Sequence, residues 1–182
     1  MFKKTVKLLM LGVFSLAFAG SAIAEPIKIK LATFEPGGAF IASKILSAWA
    51  DKVNAESNGG LEVKVYAGGV LGGPPKQYDI VKGGIADMSW TVLGYIGGQF
   101  PLSSVVELPF LTRTSKAGSK ALNTLYEEGY LDKEMDGIKL VGLHSNPAYQ
   151  FHMKDKNVLE PSDLEGMKMR VPSKIAGTIL AK

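Results

Sequence analysis

Apolar and polar positions alternate from residue 27 to residue 31, where Lys28 and Lys30 separate Ile27, Ile29 and Leu31. A period of two is that of a β-strand. Phe34-Glu35-Pro36-Gly37-Gly38 breaks the pattern as a loop. From Ala39, Ile41, Ile45, Trp49 and Val53 recur every fourth residue with Leu46 beside them, which predicts one helical face and places Trp49 in the core. Asn58-Gly59-Gly60 ends that helix, because glycine accepts the left-handed backbone of a helix C-terminus. Leu61, Val63 and Val65 alternate with Glu62 and Lys64 as a second strand. A Gly-rich stretch over 67–73 precedes Pro74-Pro75, residues that suit the first turn of a helix through Tyr78 and Val81 to Gly83-Gly84. Residues 85–90 predict a short buried strand, 91–104 irregular chain, and 105–111 an extended segment around Pro109. A helix over 115–131 carries Ala117, Ala121, Leu122 and Leu125 on one side. Further strands are predicted at 138–143, 149–153 and 167–171, and Ser173 is placed to cap a last helix bearing Ile175 and Ile179.

Strands alternating with helices specify an α/β fold with a largely parallel sheet covered by helices. Ligands of such sheets sit at the carboxyl ends of the strands. The loops Thr33–Ala39 and Trp90–Gly97 are therefore expected to face one cleft.

The N-terminus sets the compartment. Lys3, Lys4 and Lys7 precede the apolar run Leu8–Ala19, and Ala22-Ile23-Ala24 supplies small residues at the two positions that a signal peptidase reads. This is the three-part pattern of an export signal over residues 1–24, cut after Ala24, with an apolar core short for a membrane anchor. The net charge of +4 then shrinks, because those residues carry three lysines and no acid; 18 basic against 17 acidic residues remain. The basic balance is no nucleic-acid footprint. The chain has no Cys, which excludes disulfides, thiol chemistry and a lipid-modified cysteine, and only two His. No metal or cofactor is expected, since tight transition-metal sites draw on His or Cys. The chain stops a turn or two into its last predicted helix, as a piece of a longer domain would.

Candidate chemistry is sparse. The Gly-rich stretch lacks the Gly-Lys-Ser/Thr of a phosphate loop and reads as a turn whose backbone passes close to something. No Gly-x-Ser-x-Gly elbow occurs, and nothing pairs His144 or His152 with a nucleophile, so both read as structural or as cleft-wall hydrogen bonders and no enzymatic activity is expected. Trp90, at a strand end beside Thr91, is open between core packing and stacking on a ligand. In Met167-Lys168-Met169-Arg170-Val171-Pro172, alternation sets Arg170 on the polar side at the carboxyl end of its predicted strand. A guanidinium there is either a solvated charge or a bidentate grip on a carboxylate.

Leu164-Glu165-Gly166-Met167-Lys168-Met169-Arg170-Val171-Pro172 resembles the L-x-G-x-K-apolar-R-apolar-P signature of the extracytoplasmic solute-binding proteins of tripartite ATP-independent periplasmic (TRAP) transporters, the DctP family. Trp49 to Ser57, the strand Leu61–Tyr66, Gly69-Val70-Leu71-Gly72, Val81 to Met88 and Glu107-Leu108-Pro109-Phe110-Leu111 are similar to further blocks of that family, in the same order. The resemblance implies a periplasmic binding protein-like two-lobe fold (type II-like), with residues 25–147 as lobe I and 148–182 as the start of an incomplete lobe II. It implies that Arg170 makes the salt bridge to the substrate carboxylate. By position, Phe34, Glu35, Trp90, Thr91, Asn146, Tyr149 and Gln150 would line the same cleft. The implied function is capture of a small organic acid in the periplasm and its delivery to the small and large membrane subunits of the transporter, without enzymatic chemistry or cofactor. Binding proteins of ATP-driven importers and of sensory receptors share the two-lobe design and are the alternatives.

Overall fold

The computed structural model describes residues 25–181; the expected export signal lies outside the described residues. Strand β1 (Ile27–Thr33) is central in a parallel sheet of order β2-β1-β3, with β2 at Leu61–Tyr66 and β3 at Met88–Trp90. Ile27 pairs with Leu61 and Ala32 with Tyr66 on one side, and Thr33 pairs with Trp90 on the other. The parallel pairing brings Thr33, Tyr66 and Trp90 to one carboxyl edge. Leu31, Ala32 and Thr33 are all buried, because the last residues of β1 are covered on both sheet faces.

A π-helical segment, Ile41–Leu46, continues directly into α1 (Ser47–Glu56). Leu46 and Ala50 meet Leu31 and Val63 on one face of the sheet. Asn58 and Gly59, both at positive φ, end the helix where Asn58-Gly59-Gly60 predicts. The helical stripe is offset from its predicted centre. Ala42, Leu46 and Ala50 are buried, whereas Ile45 and Trp49 are exposed, Trp49 by 39%. The buried row keeps the four-residue spacing but lies one position further along, so that Leu46 and two alanines face the sheet and the bulkier Trp49 turns outward.

On the opposite face, α2 (Gln77–Lys82) follows a 3-10 turn at Pro74–Lys76 and places Ile80 against Ala32 and Ala86. The Gly-rich stretch runs close to the first loop, as its composition predicts. Gly68 N–H donates to the Glu35 carbonyl at 2.7 Å and Gly69 N–H to that of Thr33 at 3.0 Å. At Gly72, with φ of 154°, a Cβ would lie 2.8 Å from Ile80 Cδ1. The fully buried Gln77 ties this turn to β3: its amide donates to the Gly72 carbonyl and accepts from Ser89 Oγ at 2.6 Å. On the outer edge of β2, Asn54 brackets Val63, donating to its carbonyl at 3.0 Å and accepting from its N–H at 2.6 Å.

A second core gathers Tyr78, Ile96, Phe100, Leu131 and Met135 beneath α3 (Ser115–Glu127). Thr114 caps α3, accepting from Ala117 N–H at 3.1 Å. The helix stops short of the predicted residue 131 because Gly129, at φ 83°, closes a Schellman turn in which Tyr130 N–H donates to Leu125 and Gly129 N–H to Tyr126.

Several expected strands form differently. The third strand begins at Met88 rather than residue 85, because Asp87 takes over the pairing with Lys30: its carboxylate accepts from Lys30 N–H at 2.8 Å and its own N–H donates to Lys30 O. The 105–111 segment is a 3-10 turn over Ser103–Glu107 instead of extended chain. The buried Glu134 stabilises that turn by accepting from Leu102 N–H, Ser103 N–H and Ser103 Oγ. Residues 138–143, 149–153 and 167–171 form no strand. Around Leu143 a side chain replaces the ladder. Asn123 of α3 accepts from Leu143 N–H and donates to its carbonyl, and Ser119 Oγ accepts from Ser145 N–H at 2.9 Å. The last helix, α4 (Lys174–Leu180), starts at Ser173 as predicted, with Ser173 Oγ accepting from Ala176 N–H at 3.2 Å.

Candidate functional site

The carboxyl edge of the sheet carries Trp90, and a group of aromatic rings extends from it. Phe34, just past the end of β1, has its ring centroid 5.7 Å from Trp90 and 5.4 Å from Tyr95. Trp90 Nε1–H donates to His144 Nε2 at 3.1 Å, and the two rings are tilted by only 12° with centroids 5.7 Å apart. Face-to-face rings cannot share an in-plane N–H···N bond, so the indole and imidazole lie edge to edge as one flat surface. Indole nitrogen only donates, hence the His144 proton sits on Nδ1.

Arg170 closes the group. Its Nη2 donates to Tyr95 Oη at 3.2 Å, and its guanidinium carbon is 5.9 Å from the Tyr95 ring centroid. Local sequence fixes this placement. Asp163 accepts from the N–H groups of Leu159 and Glu160, which holds its carboxyl below the usual range. Gly166, at φ 72°, then turns the chain into 167–171, and the Ser173 cap follows within three residues of Arg170. The guanidinium is exposed, and no carboxylate among the described residues is within ion-pairing distance of it.

Trp90, Thr91, Tyr95, Glu107, His144, Asn146, Tyr149, Gln150 and Arg170 line one open cavity of about 1830 Å³. That exceeds the roughly 300–1,000 Å³ of an ordinary ligand pocket, so the candidate site is only its end around Arg170 and the aromatic rings. Of the residues expected from sequence, Arg170, Trp90, Thr91, Asn146, Tyr149 and Gln150 line this cavity. Phe34 and Glu35 do not reach it: Phe34 supports Trp90 and Tyr95, and the Glu35 backbone serves the contact with Gly68. His144, expected as structural or as a cleft-wall hydrogen bonder, occupies the wall and bonds Trp90. Sequence reasoning missed Tyr95 and Glu107. Tyr95 falls in a Gly-rich stretch without periodicity, and Glu107 hides in an apolar motif.

Two buried polar atoms on this wall have no partner, Thr91 Oγ1 and Glu107 Oε2. Tyr149, though 52% exposed, is pushed above the ordinary tyrosine value, first by partial desolvation and then by the charges of Glu107 and Tyr95. A raised value means that Tyr149 stabilises the fold fully below its unfolded value near 10, and the contribution is lost as pH rises through the folded value. Tyr149→Phe is therefore expected to flatten the fall of Tm above about pH 10 while leaving neutral stability unchanged. An unaltered alkaline limb in a pH series of melting curves would remove that account.

The family described as bacterial extracellular solute-binding protein, family 7 (DctP), has a model that matches residues 37–182. The chain belongs to this family. Among solved members, a marine metagenome TRAP solute-binding protein described as specific for aromatic acid ligands, in complex with 3-hydroxybenzoate, is 34% identical with a TM-score of 0.80. The match covers 87% of this chain and 49% of that one. A TRAP solute-binding protein from Rhodoferax ferrireducens T118 in complex with copurified benzoate is 33% identical with a TM-score of 0.79, over 85% of this chain and 48% of that one. The 2,3-diketo-L-gulonate-binding periplasmic protein YiaO of Escherichia coli K12 is 24% identical over 156 residues, 85% of this chain and 47% of its own length. The chain thus spans about half the length of these relatives, and the solved ones have the two-lobe architecture of periplasmic binding proteins. The α/β class and the family resemblance of the motifs both agree with this.

Proposed function

We propose that the protein captures an aromatic monocarboxylate in the periplasm and hands it to the small and large membrane subunits of a TRAP transporter. The observation that carries this reading is Arg170, held by Tyr95 and unpaired with any described carboxylate, next to the flat Trp90–His144 surface. The guanidinium supplies two parallel N–H donors to a carboxylate. The rings supply an apolar face of the size of a benzene ring, and Thr91 Oγ1 supplies a further polar contact. Asn146, Tyr149 and Gln150 border the same space. The benzoate and hydroxybenzoate bound by related proteins favour an aromatic acid over an aliphatic one.

In this reading residues 1–24 are an export signal cut after Ala24, 25–147 belong to the first lobe, and 148–182 begin the second. Binding involves no covalent step. Ligand favours closure of the lobes only to the extent that it binds the closed form better. Titration of the purified protein with benzoate is expected to change Trp90 emission and to release or absorb heat in calorimetry, with cyclohexanecarboxylate binding more weakly. Absence of both signals with benzoate would overturn the aromatic assignment.

A further inference from the structure

Glu107 is the acid that the carboxylate grip leaves unused. It ends the Ser103–Glu107 turn on the wall of the cavity, and its Oε2 is buried without a partner. Its other oxygen packs directly over Gly94, where a Cβ would collide with it, and that same Cβ would lie 3.1 Å from Ser173 Cβ. Glu107 therefore packs on the chain one residue before Tyr95, at a glycine that Ser173, three residues after Arg170, also approaches. Yet it forms no salt bridge with Arg170. Its charge also reaches Tyr149 on the same wall.

A buried carboxylate oxygen without a donor is costly, and a hydrogen-bond donor relieves it. A second anion would worsen it. Resting on the aromatic-acid reading above, we infer that Glu107 determines specificity within that class: it accepts a hydrogen bond from a hydroxyl on the ligand ring and turns away acids that carry a second carboxylate. Arg170 takes the one carboxylate, and Glu107 accepts from a hydroxyl elsewhere on the ring. The site is thereby matched to hydroxyaromatic monoacids.

Three acids that differ at one ring position separate the contributions: benzoate, 3-hydroxybenzoate and isophthalate, each titrated calorimetrically into the native protein, Glu107→Leu and Glu107→Gln. The native protein is expected to bind 3-hydroxybenzoate roughly tenfold or more tightly than benzoate, the scale of a hydrogen bond to a charged group, and isophthalate more weakly than benzoate. Glu107→Leu is expected to erase the hydroxyl preference, and Glu107→Gln to narrow the gap between isophthalate and benzoate. Because each ratio is taken within one protein, partial misfolding of a variant lowers all three affinities and leaves the ratios readable. Should a variant fail to fold, the native ratios decide, and equal binding of all three acids overturns the inference. Ratios unchanged by both substitutions, with benzoate still bound, overturn it alone. No binding of any acid to the native protein overturns the aromatic reading and this inference together.

Discussion

Replacing Arg170 by lysine is expected to weaken benzoate binding by about ten- to a hundredfold, the equivalent of the roughly 1.5–3 kcal/mol of a hydrogen bond to a charged group. The substitution keeps the positive charge and removes the planar fork, so it separates geometry from simple attraction. Lysine offers a point charge on a flexible stem, while the guanidinium is already oriented by Tyr95 Oη at 3.2 Å. Stability is expected to move little, because the side chain is exposed and its one side-chain hydrogen bond is to Tyr95. Calorimetric affinity and a melting curve on the same sample settle the matter. Equal affinity in the lysine variant removes Arg170 as the carboxylate grip, and lost affinity with a collapsed melting transition makes it a folding residue instead.

Phe100→Ala is expected to be the most damaging single change to the fold, costing about 3–5 kcal/mol. Phe100 is 2% exposed and meets Tyr78 edge-on with centroids 5.4 Å apart. It belongs to the core that joins α2 to the chain below α3, through Ile96, Leu131 and Met135. Truncation leaves a cavity whose lining is anchored on three sides, so it relaxes poorly. For a chain of this length the expected fall in Tm is roughly 10 °C. Val141→Ala, at an exposed position, serves as the control and is expected within about 0.5 kcal/mol of native. A loss below about 1 kcal/mol at Phe100 would mean that this core is not part of the cooperative unit. Because Ile96 follows Tyr95, the Phe100 variant is also expected to weaken acid binding, whereas Arg170→Lys leaves stability alone.

The first half of the fold was the more readable from sequence, for a physical reason. The alternation in 27–31 and 61–65 reports strands whose partners are a few dozen residues away, and β1, β2 and α1 form where expected. Turn chemistry was equally direct at Asn58-Gly59 and at Ser173. The second half follows different rules. At Leu143 an asparagine from α3 satisfies the backbone, and at Ser103 a glutamate does. Neither substitution of side chain for ladder leaves a periodic trace. The same distinction divides the site. Arg170 was picked out by a motif, although the strand expected there does not form, and Trp90 by the end of a strand. Tyr95 and Glu107 became visible only when the chain brought residues 34, 90, 94, 107 and 170 together.

Asn54 has a consequence for how the sheet can grow. By occupying both outward backbone groups of Val63, it acts as a one-residue substitute for a neighbouring strand and closes that edge at its midpoint. β3, by contrast, pairs with β1 alone among the described strands. A strand that extends this sheet, from the same polypeptide or another, finds its open edge beside Met88–Trp90. Growth is steered in one direction, toward the edge from which Trp90 and its neighbouring rings extend.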